Sequence, residues 1–410
     1  MRSLQHEQTK TVNSVKHWSA SFAIFLCGCA AFLNLYSPQG ILREIALAFH
    51  ISVARASLSI TATTFAVAVT APFVNILIGR VEKRAVISFA AILSAVPALF
   101  TAGSGTFTAF LLSRFIQGLV IPVLFTVTIA FIGEQRERWN VIEMTSFYVA
   151  GTTLGGFGGR FVVNTMTAMS TWRHGFAALG GIALMVGIGI YTLFPRSTRS
   201  TIITVQSPER SQRTFSLFEL RQELKSPAIQ AAFFVGACIL FAQVTTFTYI
   251  SLYLRQPPFC LNTAAIGSIY TVFLLAMIVT PIAGRLSKRR PHSELLLVAM
   301  ALGMIGSLLT LRPTLPEILL GLALSSSGTF IAQTAANSFV AHTVKCARVI
   351  AIGLYLTSYY LGGSVGSIAP MPIWERFGWH GCVALVLLIQ LLAIFIARVY
   401  WKSPADSTRL

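Results

Sequence analysis

The sequence predicts an all-α membrane protein of twelve transmembrane helices arranged as two parallel six-helix repeats. Three observations carry this. Hydrophobic residues make up 55% of the 410-residue chain and charged residues 11%, with mean hydropathy +0.72; that leaves too little polar surface to cover a water-soluble globule. Segments free of Asp, Glu, Lys and Arg, near the roughly 20 residues a helix needs to cross a bilayer, occur six times on each side of a basic central segment. Finally, the chain repeats at half its length. Gly79, Arg80, Lys83 and Arg84 return in register as Gly284, Arg285, Lys288 and Arg289. Further along, Tyr148, Leu154, Gly155, Gly156, Gly159 and Trp172 return as Tyr355, Leu361, Gly362, Gly363, Gly366 and Trp379. Internal repetition of this kind marks equivalent structural units.

Taken in order, the expected spans are 17–42, 56–79, 85–103, 106–133 (interrupted by Arg114), 144–159 and 174–195 in the first half. In the second half they are 226–254, 261–284, 295–311, 318–344, 349–374 and 377–397. The first is too long for a signal peptide and is followed by many more. Residues 1–195 are thus expected to form one six-helix bundle and 226–410 the other. The intervening 196–225, rich in Ser, Thr, Pro and basic residues, reads as a linker. Phe215 to Leu220 within it suits either a short surface helix or solvated chain. Lys and Arg in alternate loops divide 23 to 7 in favour of the side holding both termini, so the positive-inside rule places the termini in the cytoplasm.

The net charge of +18 raises the question of nucleic acid, but a binding stripe needs Lys and Arg clustered on one solvated face. Here they sit between apolar runs, and no nucleic-acid partner is expected. Six scattered cysteines suggest neither a disulfide framework nor a metal site, and no cofactor is expected.

On these residues the chain resembles the major facilitator superfamily, nearly end to end. Residues 75–84 are similar to that superfamily's loop motif between helices two and three, keeping Leu77, Arg80, Lys83 and Arg84. Both motif glycines and the Asp are replaced, with Asn75, Glu82 and Gly79 in their places. Arg114-Phe115-Ile116-Gln117-Gly118 resembles the fourth-helix signature Arg-x-x-Gln-Gly. The run from Gly151 to Arg160 resembles the glycine-rich fifth helix of exporters, with Gly156 in place of the usual Pro. Tyr249 to Leu254, Tyr359 to Gly362 and Trp374 to Trp379 resemble the bacterial branch of arabinose-efflux permeases. The resemblance implies a monomeric secondary transporter of the bacterial inner membrane, an exporter coupled to protons. Uptake of a small organic anion is the alternative direction. A membrane sensor or embedded enzyme is the rival class, but no Walker-type loop is present and all seven histidines fall in the tail, in loops or near span ends.

Arg114 is the sharpest candidate for substrate binding or coupling. A charge at mid-membrane costs roughly 2.5 to 3.5 kcal/mol, so it must face water, a partner or a ligand; an internal anchor between helices is the alternative. Gln117 lies one turn on, on the same face. Arg160 follows only sixteen charge-free residues, so a full span takes in Arg160, Glu143 or both, and Arg160 either serves the substrate or snorkels to the surface. Asn34 and Tyr36 in the first span, and Gln243 and Tyr249 in the seventh, add polar groups that suit a ligand or ordinary interhelical hydrogen bonds. Gly151, Gly155 and Gly159, echoed by Gly362 and Gly366, form strips for close helix packing. Arg80, Arg84, Arg285 and Arg289 mark the two conformational turns. Since the buried charges are positive and no acidic residue lies well inside a span, the expected substrate is anionic, zwitterionic or neutral.

Overall fold

The structure, a computed structural model, describes residues 2–74, 82–135, 140–194, 224–287, 290–344 and 348–401, and all statements below concern these. Arg80, Arg289 and all of the central segment except Leu224 and Lys225 lie outside them. The chain is helical throughout, without strands among the described residues. The first half comprises α1 (Arg2–Leu33), α2 (Leu42–Ala48), α3 (Val53–Thr70), α4 (Lys83–Leu93), α5 (Ala95–Ala102), α6 (Phe107–Glu134), α7 (Val141–Met169) and α8 (Trp172–Leu193). The second comprises α9 (Pro227–Tyr253), α10 (Thr263–Ile269), a 3-10 turn Tyr270–Leu275, α11 (Ala276–Leu286), α12 (His292–Leu309), α13 (Leu315–Thr343), α14 (Arg348–Ile368) and α15 (Met371–Tyr400).

Nine helical stretches are long and apolar enough to cross a membrane among the described residues, with α4–α5 and α10–α11 each forming one. The apolar part of α1, Trp18–Leu33, is shorter. The remaining two spans are α7 and α14. All twelve expected spans are therefore helices, and six alternate with six between two faces. We call them the terminal face, where α1 begins and α15 ends, and the opposite face.

Several boundaries differ from expectation for local reasons. The first span stops at Leu33 rather than running to residue 42. Pro38 has no N–H to continue the ladder, Ser37 Oγ turns back onto the Asn34 carbonyl at 3.1 Å, and 34–40 form successive turns. The fifth span takes in both Glu143 and Arg160, as α7 runs to Met169. The eleventh ends at Ile368, ahead of Pro370, rather than at residue 374. Gly378 then breaks α15 at φ 58° and ψ −146°, a backbone region open to glycine at little cost. On the opposite face Ser52, Thr106, Thr171 and Asn262 each accept a backbone N–H and cap α3, α6, α8 and α10, satisfying donors that a helix start leaves free.

One extensive pairing recurs in both halves: α1 packs on α7 as α9 packs on α14. Across the halves, α3 meets α14 and α7 meets the eighth span. The first of these contacts runs the length of the helices. Thr61 Oγ1 bonds Ser367 Oγ at 2.7 Å, Thr357 donates to the Ala68 carbonyl at 2.9 Å, and Gly353 approaches Pro72. The second is chiefly with α10 and the 3-10 turn, on the opposite face. The two halves therefore enclose a space that is shut on one face.

Candidate functional site

The packing of α1 on α7 brings backbone against backbone. A Cβ on Gly151, Gly155 or Gly159 would collide with the carbonyl oxygens of Phe25, Cys29 and Leu33. Gly362 and Gly366 stand in the same way against the carbonyls of Ala237 and Phe241 on α9. This close approach carries Arg160, the residue after Gly159, to the axis between the halves.

There a cavity of about 350 Å³ lies between the two bundles, within the size range of small-molecule sites. Its floor is Tyr36, Arg160 and Phe273. Its walls rise past Thr152, Thr153, Gln243, Phe330, Gln333, Thr334, Tyr359 and Tyr360 to Phe125, Ile129, Tyr148, Thr280, Asn337 and Leu356. The last six belong to the terminal-face side of their helices, and the cavity opens that way.

The opposite face is closed by hydrogen bonds between the halves. Gln39 Nε2 donates to Thr248 Oγ1 at 2.9 Å and to the Val244 carbonyl at 3.4 Å, while Ser251 Oγ donates to the Gln39 carbonyl at 3.3 Å. Farther out, Arg255 pairs with Glu44 at 2.7 Å and donates to the Gly40 carbonyl at 2.8 Å, and Thr263 donates to Glu44 at 2.7 Å. Asn164 is wedged between Gly40 and Gly267. The centre of this closure is Gln39.

Arg160 is buried. Its Nε donates to Gln39 Oε1 at 2.8 Å and its Nη1 to the Gly156 carbonyl at 2.5 Å. The guanidinium lies 4.8 Å from the Tyr36 and Phe273 ring centres and 5.2 Å from that of Tyr270, so ring faces supply part of the stabilisation that water would give. No carboxylate lies within ion-pair distance among the described residues. The hydroxyls of Tyr36 and Tyr148, both lining the cavity, are buried and without a partner there. A site with one uncompensated cation and idle hydroxyls can bind an acceptor group, since buried polar groups left unpaired are costly.

Arg114 is placed differently from the expectation that it serves the substrate. It is fully buried but does not line the cavity. Its Nη2 donates to the Leu35 carbonyl at 3.0 Å, Nη1 to Ser37 Oγ at 3.4 Å and to Gln117 Oε1, and Nε to the Ser59 carbonyl at 3.5 Å. It supplies donors where α1 stops and its last carbonyls lose their partners. Gln117 in turn donates to the Ser94 carbonyl at 3.4 Å, between α4 and α5. Arg114 thus holds the turn that presents Tyr36 and Gln39.

Of the other candidates, Tyr36, Gln243 and Arg160 come together in the cavity. Asn34 is buried with both amide atoms unpartnered, and Tyr249 donates to the Ser367 carbonyl at 3.1 Å; neither lines it. Arg84 donates to the Tyr191 carbonyl at 3.1 Å, beside a Lys83–Glu134 ion pair, and Arg285 is exposed. Sequence reasoning missed Phe330, Gln333, Thr334 and Asn337 of α13. Their signal was present: spacings of three and four put these residues on one helix face.

Two six-helix bundles around one central cavity define a multi-pass membrane transporter. A sequence profile described as Major Facilitator Superfamily matches residues 24–367 and 258–410. The chain is 27% identical to an uncharacterized transporter of Buchnera aphidicola subsp. Schizaphis graminum, over 95% of this chain and 92% of that protein. It is 27% identical to the uncharacterized MFS-type transporter YybF of Bacillus subtilis, over 93% of each. Identity to the inner membrane transport protein YnfM of Escherichia coli is 26%, over 92% and 89%. Among solved structures, a bacterial homolog of the human lysosomal transporter Spinster, inward-facing and occupied, superposes with TM-score 0.69 at 15% identity, covering 94% of this chain and 98% of that one. The human organic anion transporter MFSD10 gives 0.63 at 16% identity, over 92% and 98%. The chain belongs to the Major Facilitator Superfamily, a family of transporters and not of enzymes.

Proposed function

We propose that this transporter is a monomeric secondary carrier of the bacterial inner membrane that binds a small organic anion at Arg160 and exports it by alternating access. The observation that carries this reading is the uncompensated guanidinium on the floor of a cavity closed at one face and open at the other. The 23 to 7 division of basic residues makes the open, terminal face cytoplasmic, so the structure corresponds to an inward-open state. Export follows from the resemblance to efflux permeases. The aromatic walls suit a substrate with an apolar body, and the likeness in fold to a human organic anion transporter supports an anionic one. Like charges repel strongly in a low-dielectric site, which disfavours cations. On the closed face the Glu44–Arg255 ion pair spans the halves.

A matched ligand series tests the charge reading on the purified protein. 2-Naphthoate should raise Tm through preferential binding to the folded state, 2-naphthamide less, and 2-naphthylmethylammonium not at all. Arg160→Met should abolish the naphthoate shift. A shift with the ammonium compound that survives Arg160→Met overturns the proposal.

A further inference from the structure

We infer that Gln39 is a positioning residue that transmits the occupancy of Arg160 to the closed face, so that an anion on the cavity floor loosens the contact holding the halves together. This deepens the reading of Arg160 as the anion site and rests on it. Gln39 is 1% exposed and Thr248 fully buried. The Gln39 amide touches both systems at once: Oε1 accepts from Arg160, and Nε2 donates across the halves to Thr248 and the Val244 carbonyl.

An amide has one acceptor end and one donor end, and its orientation is set by its partners. Turned over, Gln39 would point its NH₂ at the Arg160 Nε–H and its oxygen at the Val244 carbonyl, donor against donor and acceptor against acceptor. The Arg160 Nε–H therefore selects the orientation that bonds the second half. A carboxylate binds a guanidinium through two parallel N–H donors. Nη1 is engaged with Gly156, whereas Nη2 makes no hydrogen bond. The edge formed by Nε and Nη2 is thus the open one, and a carboxylate seated there takes the Nε–H from Gln39. The amide loses what orients it, and its bonds to Thr248 and Val244 weaken. Coupling between sites of this kind commonly changes an equilibrium by about tenfold.

The test reads the opposite face by spin-label distances between Met169→Cys and native Cys260, both exposed, with Cys346→Ser and the protein in nanodiscs. Without ligand, Thr248→Val should raise the open population about tenfold in the otherwise native protein and hardly at all in Arg160→Met. Arg160→Lys, which keeps the charge but lacks the Nε–H, serves if the Met variant fails to assemble. An equal factor in both backgrounds, as independent structural contacts give, overturns the relay. In the second arm, 2-naphthoate should widen the distance in the native protein, and Gln39→Leu should remove that response while keeping the thermal shift. A non-additive cycle with no naphthoate binding leaves the relay standing and defeats the anion reading. Naphthoate binding with an additive cycle does the reverse.

Discussion

The α1–α7 and α9–α14 pairs share one packing device and put it to different ends. In each, glycines on the later helix lie against carbonyls of the earlier one, and in turn Gly28 meets the Tyr148 carbonyl and Gly236 the Tyr355 ring. The residue after the last strip glycine then reaches the other half. On α7 it is Arg160, which meets the Tyr270 and Phe273 rings. On α14 it is Ser367, which bonds Thr61. The scaffold is duplicated, while the charge is present once. Keeping two helices in close register is a steric task that both halves need, whereas a second cation facing the same cavity would repel Arg160 and add its own desolvation cost.

The largest effect should come from filling the strips. Gly155→Leu and Gly362→Leu each drive a side chain into a neighbouring backbone and should destabilise by about 3 kcal/mol or prevent assembly, as read by chemical unfolding in detergent. Gly158→Leu, on α7 where a Cβ meets nothing, should be tolerated; equal damage there would show that helix propensity or lipid contact, and not the strip, sets the cost.

Next comes the division of labour between the two buried arginines. Arg114→Ala leaves the Leu35 carbonyl and Gln117 Oε1 without their donor and should cost roughly 2 to 4 kcal/mol, yet the folded fraction should keep its thermal response to naphthoate. Arg160→Met should show the opposite pattern, with little loss of stability and no response. Loss of the response in Arg114→Ala at unchanged stability would return Arg114 to the substrate.

The smallest effect belongs to the C-terminal member of the compared pair. Ser367→Ala removes one interhelical hydrogen bond, worth about 0.6 kcal/mol in a membrane. It should raise the population open on the opposite face about threefold, and it should leave the naphthoate response unchanged. A loss of response there would mean that both halves hold the ligand.

Much of this was legible before any coordinates. The repeat at half length, the twelve apolar runs and the glycine spacings are properties of position along the chain, and helices in lipid must satisfy their own backbone bonds, so pattern maps directly onto span. The ends of spans were less legible. Pro38 stops α1 early because a lost donor acts over a turn, and Pro370 and Gly378 do the same between α14 and α15. Gln333 and Asn337 were readable as one face of α13, but not as facing the cavity, because an amide in lipid-spanning sequence serves packing equally well.

Hydropathy and repetition alone point to the class, a two-repeat membrane transporter with Arg114 inside a span and Arg160 at the end of a charge-free run, since both are local sums that need no partner. Which arginine is left open to a ligand depends on how the helices pack. Arg114 and Arg160 are both cations in apolar helices, and their neighbours in the chain do not say which of them faces a ligand. The distinction lies in what arrives from elsewhere. The unwound end of α1 and the carbonyl of Ser59 surround Arg114 with acceptors, while Arg160 meets one amide, one carbonyl, three rings and an open cavity.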